Sequence, residues 1–188
     1  MTGFLILSLG LALWMLPHLF KRLMPARRAA LGDKARGPVA LAVLGGVILM
    51  VIGYRMADFI PVYTPIPGIG HLNNLLMLFS VYCFGIAPTK GLLANRIRHP
   101  MLTGVVIFAG AHLLVNGDVA SLILFGGLGL WALLEMALIN RTTGAWVRPP
   151  AGSFVGDLKN IVGTLIIYGV AVGIHALLGH SPFLGTYG

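Results

Sequence analysis

Four histidines lie within or at the ends of long apolar stretches: His18, His71, His112 and His175. Neutral imidazole is a good axial ligand for haem iron and a proton carrier near neutral pH. In a bilayer, an ionisable side chain is costly, so each histidine must either do chemistry or find a hydrogen-bond partner. His112 is the leading candidate. It lies about 18 Å along a helix from Pro100, within Phe108-Ala109-Gly110-Ala111-His112-Leu113-Leu114. It reads as a metal ligand or proton-handling group, or as a neutral histidine bonded to a neighbouring helix.

A second candidate is Arg96-Ile97-Arg98-His99-Pro100. Pro100 suits the first turn of a helix and places His99 near the N-cap. Cationic side chains beside free helix N–H groups suit an anion such as a phosphate, a carboxylate or a haem propionate. The same residues also serve as a basic anchor for a membrane span. Glu135 sits in an apolar run and needs a partner, for which Arg98, His99 or Arg141 are candidates. His180, in the polar tail, reads as solvated.

The elements that must position these groups are membrane spans. The chain of 188 residues is 57% hydrophobic and 10% charged, against soluble averages of roughly 45–50% and about 25%. A span needs about 20 apolar residues. Six are expected: Phe4–Phe20, Val39–Met56, Leu72–Ala87, Met101–Val115, Val119–Ile139 and Ile161–Leu178. The fold class is therefore all-α, a six-helix transmembrane bundle forming a single domain over residues 1–188.

Of the 13 Lys and Arg residues, all but Arg55 fall in three segments. Lys21, Arg22, Arg27, Arg28, Lys34 and Arg36 occupy the first, Lys90, Arg96 and Arg98 the second, and Arg141, Arg148 and Lys159 the third. Positive loops stay cytoplasmic, so both termini are expected outside, periplasmic for a bacterial inner membrane. The charge is a topology signal. No basic cluster is interleaved with aromatic residues, which argues against nucleic acid as a partner. The positive charge follows the first apolar run instead of preceding it, so a retained anchor is expected, not a cleaved signal peptide. Cys83 is the single cysteine, so neither an internal disulfide nor a Cys-His zinc spacing exists.

Among the connections, Lys21–Gly37 mixes Leu23, Met24 and Leu31 with its charges. It reads as a short helix on an anionic lipid leaflet or as a solvated loop. The segment Asp58–Gly70 holds Pro61, Pro65 and Pro67 and should run extended over the outer face. Asn116-Gly117-Asp118 is a turn with Asp118 as N-cap, which makes spans four and five an antiparallel hairpin. Gly104, Gly110, Gly126, Gly127 and Gly129 on that hairpin allow close helix approach or clearance for a cofactor.

Span centres place His112, His175 and His71 about 6, 9 and 12 Å to the outer side of the midplane, and His18 about 9 Å to the inner side. The first three could converge on one metal or stand as separate interfacial histidines.

Arg98-His99-Pro100-Met101-Leu102-Thr103-Gly104, followed by His112-Leu113-Leu114-Val115-Asn116-Gly117-Asp118, resembles the central signature of the NnrU family of bacterial membrane proteins. Leu16-Pro17-His18, Pro67-Gly68-Ile69-Gly70-His71 and His175 also have counterparts there. The resemblance implies an association with nitrite and nitric oxide reduction. It also extends to the haem b-containing zeta-carotene isomerase, and so implies His18 and His112 as haem ligands, with haem b as cofactor. A cysteine stands three residues before the second histidine in that relative. Ala109 stands here, so no thiolate ligand carries over. The Arg-His-Pro motif is similar, more distantly, to membrane S-adenosylmethionine-dependent methyltransferases. Those have an aromatic residue in place of Leu102, and a carboxylate and tyrosines where Asn140–Asp157 has no Glu and no Tyr.

Three functions follow as expectations. The first is a haem-b isomerase or oxidoreductase acting on a lipid-soluble substrate or a nitrogen oxide, with His112 and His18 on iron, His175 or His71 as alternative partners, and Arg96, Arg98 and His99 near the propionates. The second is a non-enzymatic assembly factor for a nitrogen-oxide reductase. The third is a membrane methyltransferase using the Arg-His-Pro region and Glu135.

Overall fold

The computed structural model describes residues 1–183; Gly188, the terminal residue of the expected outer end, lies outside them. The helices are α1 (Thr2–Leu23), α2 (Pro25–Leu31), α3 (Arg36–Met56), α4 (Ile69–Thr89), α5 (Pro100–Val115), α6 (Val119–Thr143) and α7 (Phe154–Leu177). All but α2 cross the apolar layer, so the six expected spans are present with shifted limits. The last begins at Phe154 because the Ser153 hydroxyl accepts from the Gly156 N–H. Lys159 accordingly lies in the second turn of α7 and not in a loop. Tyr82 and the Leu92 N–H both donate to the Asp157 carboxylate, which fastens that helix start to the end of α4. α5 is the shortest span, bounded by Pro100 and by Asn116-Gly117.

Principal packing neighbours run in the order α3, α1, α6, α5, α4, α7. The expected α5–α6 hairpin is present, but the most extensive contact is α1 against α3. There the backbones nearly touch. A Cβ on Gly10 would lie 2.6 Å from the Met50 amide nitrogen, and one on Gly53 would overlap the Leu7 backbone. Glycine at positions 3, 10, 46 and 53 removes the side chains from this seam and lets dispersion contacts replace them.

On the α5–α6 hairpin the glycines divide into two groups. Gly104 fits against Ser80 and Cys83 of α4, Gly127 against Leu11, and Gly129 against Ala109, whereas Gly110 and Gly126 face open space. Cys83 is buried.

The Pro-rich segment is extended as expected, and it is pinned over the α5–α6 turn. The Val62 and Tyr63 N–H groups donate to the Gly117 carbonyl, and Val119 N–H donates to Ile60. The Tyr63 hydroxyl donates to the Leu113 and Asn116 carbonyls. Partial burial and the nearby Asp118 carboxylate push the Tyr63 phenol above its ordinary value. These bonds therefore persist at neutral pH and are lost only as strong alkali ionises the phenol.

With the three basic connections at one end, alkaline phosphatase fused at Asp33, Lys90 or Thr143 is expected to be inactive, and a cytoplasmic reporter at the same sites active. The reverse pattern overturns the orientation.

Candidate functional site

His112 occupies the last turn of α5 and is half-buried. Its Nδ1 lies 2.9 Å from the Phe108 carbonyl oxygen. A carbonyl only accepts, so the neutral ring carries its proton on Nδ1 and leaves the Nε2 lone pair available. The ring is wedged between Phe108, with centroids 4.2 Å apart, and Phe125, stacked at 4.3 Å and 24°. Phe125 belongs to a π-helical turn, Leu122–Gly126, inside α6. Such turns re-aim side chains within a helix and recur at functional sites. No sequence signal marks this one.

A buried polar chain adjoins the wedge. The Ser121 hydroxyl donates to Asp118 Oδ2 at 2.5 Å, and Asp118 Oδ1 accepts from the Ser121 N–H at 3.0 Å. The Tyr54 hydroxyl is 2.8 Å from Ser121 Oγ, and its ring meets Phe125 edge-on at 6.3 Å. Asp118 was expected as an N-cap; its burial and its link to Tyr54 arise from the α3–α6 approach. Asn116 Nδ2 donates to the His112 carbonyl and closes the end of α5.

His175, exposed on α7, also has its Nδ1 against a carbonyl one turn back, that of Ala171, at 2.7 Å. His71 is exposed at the start of α4. His18 lies toward the basic end. Its Nδ1 is 2.7 Å from the Trp14 carbonyl oxygen, and its ring packs on Trp14 and Trp131 at 4.5 and 5.2 Å. Phe125 and Trp131, which mark the two histidine environments on α6, are about 9 Å apart in helical rise. The structure therefore gives His18 and His112 separate aromatic surroundings.

One turn below His18, Arg22 Nε donates to Glu135 Oε1 at 3.0 Å. The partner of Glu135 is thus Arg22, not Arg98, His99 or Arg141, because parallel α1 and α6 bring the pair His18/Arg22 level with Trp131/Glu135. Trp131 Nε1 and Glu135 Oε2 are both buried without a hydrogen-bond partner. Removing one member of a buried pair strands the other charge. Arg22→Ala is expected to cost about 3 kcal/mol, read as a lower melting temperature in detergent, while the double variant Arg22→Met/Glu135→Met retains most of the wild-type stability. Equal loss in both shows that the pair is not the cause.

In the Arg-His-Pro motif, His99 is the N-cap residue of α5, and Pro100 is its first residue. Arg98 donates to Thr143 Oγ1 at 2.9 Å and to the Gly144 carbonyl at 2.7 Å. His99 Nε2 is 2.8 Å from Asn140 Oδ1. The motif ties the start of α5 to the end of α6 and borders a shallow groove with Trp146 and Val147. Arg96 is exposed beside it.

Six apolar spans, basic connections at one end and a half-buried histidine in an aromatic wedge define a polytopic α-helical membrane protein. Residues 6–182 match the family model described as NnrU protein, and the chain belongs to the NnrU family. Comparison with curated proteins and with solved structures finds no match.

Proposed function

We propose that this NnrU-family protein binds haem b through His112 and uses it in redox or isomerisation chemistry, on a nitrogen oxide or a lipid-soluble substrate. The observation that carries this reading is the state of the His112 ring. Its Nδ1 proton is held by the Phe108 carbonyl and its Nε2 is left as a lone pair, the arrangement that fixes the tautomer of a ligating histidine. Phe108 and Phe125 hold the ring plane and limit water. Gly110 and Gly126 have no atom within 4 Å of where a Cβ would stand, which leaves room for a flat group beside α5.

When bound, haem supplies a one-electron couple and an iron site for small ligands. The chain's own part is to fix the His112 ring and to hold a proton on the Tyr54–Ser121–Asp118 chain close to it. His18 is the second ligand implied by resemblance, with His175 or His71 as the alternatives. Arg98 and His99 fasten α5 to α6, with Arg98 about 20 Å from His112 along α5, so Arg96, Arg98 and His99 would reach the propionates only of a haem seated toward the basic end. Arg98 Nη2 donates to Thr143 and Gly144, and His99 Nε2 meets Asn140.

Protein purified from cells with ample haem should show a Soret band that shifts on dithionite reduction. A colourless preparation overturns the reading and favours an assembly factor for a nitrogen-oxide reductase, for which co-purification is the test.

A further inference from the structure

At the basic end, α1, α2 and the end of α6 enclose a groove of about 510 Å3, lined by Lys21, Arg22, Pro25, Arg28, Ala29 and Thr142. This is within the roughly 300–1,000 Å3 range of ligand-sized clefts. The groove is cationic. Arg22 is matched by Glu135, and Arg28 gives one nitrogen to the Gly32 carbonyl. Lys21 has no partner among the described residues, so two positive charges, Lys21 and Arg28, face the groove without a counter-ion.

Its outer wall is not built to meet water. α2 buries none of its residues in the protein. Leu23, Met24 and Leu31, flanking or ending it, are 60%, 45% and 48% exposed. Apolar side chains beside cationic ones on a short helix at the end of the spans are the composition of a helix lying in the headgroup layer. A free anion would need only the charges, whereas a phospholipid also uses the apolar rim.

We propose that this groove is a binding site for the phosphodiester headgroup of an anionic phospholipid, held by Lys21 and Arg28, with its acyl chains against the exposed leucines of α1 and α2. The site is independent of His112 and stands whether or not haem is bound.

Native mass spectrometry of the full-length protein, released from detergent with added phosphatidylglycerol or phosphatidylcholine, tests this. Wild type should retain phosphatidylglycerol preferentially. Lys21→Ala/Arg28→Ala should weaken retention by roughly tenfold or more. Arg27→Ala/Lys34→Ala removes the same charge from the same connection outside the groove and should leave retention near the wild-type level. Equal loss in the two double variants means a diffuse attraction and overturns the site. Equal retention of phosphatidylcholine, or displacement of phosphatidylglycerol by millimolar inorganic phosphate, overturns the lipid assignment. Far-ultraviolet circular dichroism of each variant establishes that the helices are intact, and Arg22 is left unchanged because Glu135 depends on it.

Discussion

His112→Ala is expected to abolish most of the Soret absorbance of the purified protein while leaving its helical circular dichroism unchanged. The substitution empties the wedge between Phe108 and Phe125 but leaves the backbone of α5 helical, and a haem held there would lose its ligand. His180→Ala, in the exposed tail, should leave the spectrum intact. The choice of partner then becomes measurable. If His175 is the second ligand, His175→Ala alters the spin state and the Soret position whereas His18→Ala does not. If His18 is the ligand, the reverse holds. His18 has the same Nδ1–carbonyl arrangement as His112 and packs on Trp14 and Trp131, so the two variants decide the partner. An unaltered spectrum in His112→Ala ends the haem reading centred on this residue. Phe125→Ala is a milder probe: it removes the stacked face of the ring without touching a ligand, and should broaden or shift the band without abolishing it.

Gly53→Val is expected to give the largest loss of stability of any single substitution in the α1–α3 pair. A Cβ there would sit 2.6 Å from the Leu7 Cα, a backbone atom that cannot swing aside. The two helices must separate along the seam that also holds Gly10 and Gly46. Overpacking of this kind costs about 3 kcal/mol or more. Gly45→Val is the matched control. It makes the same change in helix propensity on the same helix, yet a Cβ there meets only Leu13 Cδ2, at 3.6 Å. Thermal unfolding in a mild detergent separates the two variants. Equal melting temperatures would show that the α1–α3 approach does not carry the stability assigned to it.

Much of the architecture was legible from composition alone. A bilayer cannot hydrogen-bond a free backbone, so long apolar runs become helices whatever their tertiary partners. The placement of Lys and Arg then gave the span order and the expected orientation. Pro100 and Asp118 marked helix starts for local reasons: a missing N–H at the first turn, and a carboxylate accepting from Ser121 N–H. The segment Lys21–Gly37 reads from its composition as a short helix on a lipid leaflet or as a solvated loop, and a short helix, α2, stands there.

Span order along the chain does not dictate which helices touch, and there the tertiary structure decided. α1 lies between α3 and α6, which paired Glu135 with Arg22 in place of the basic residues nearer in sequence to α5 and α6. The glycines at 3, 10, 46 and 53 became a seam only once α1 and α3 were antiparallel and in register, while Gly110 and Gly126 were left facing open space. His18 and His112 were equivalent on paper as histidines in apolar surroundings. Their difference is a matter of neighbours: two tryptophans for one, and for the other a pair of phenylalanines, one of them aimed by a π-turn that no local residue pattern encodes. The sequence by itself determined that the polar groups had to be few and inside a membrane, because burying each is costly. Only the packing of α1, α3, α5 and α6 determined which of them meet, because contacts between spans are set by side-chain fit across helices and not by spacing along any one of them.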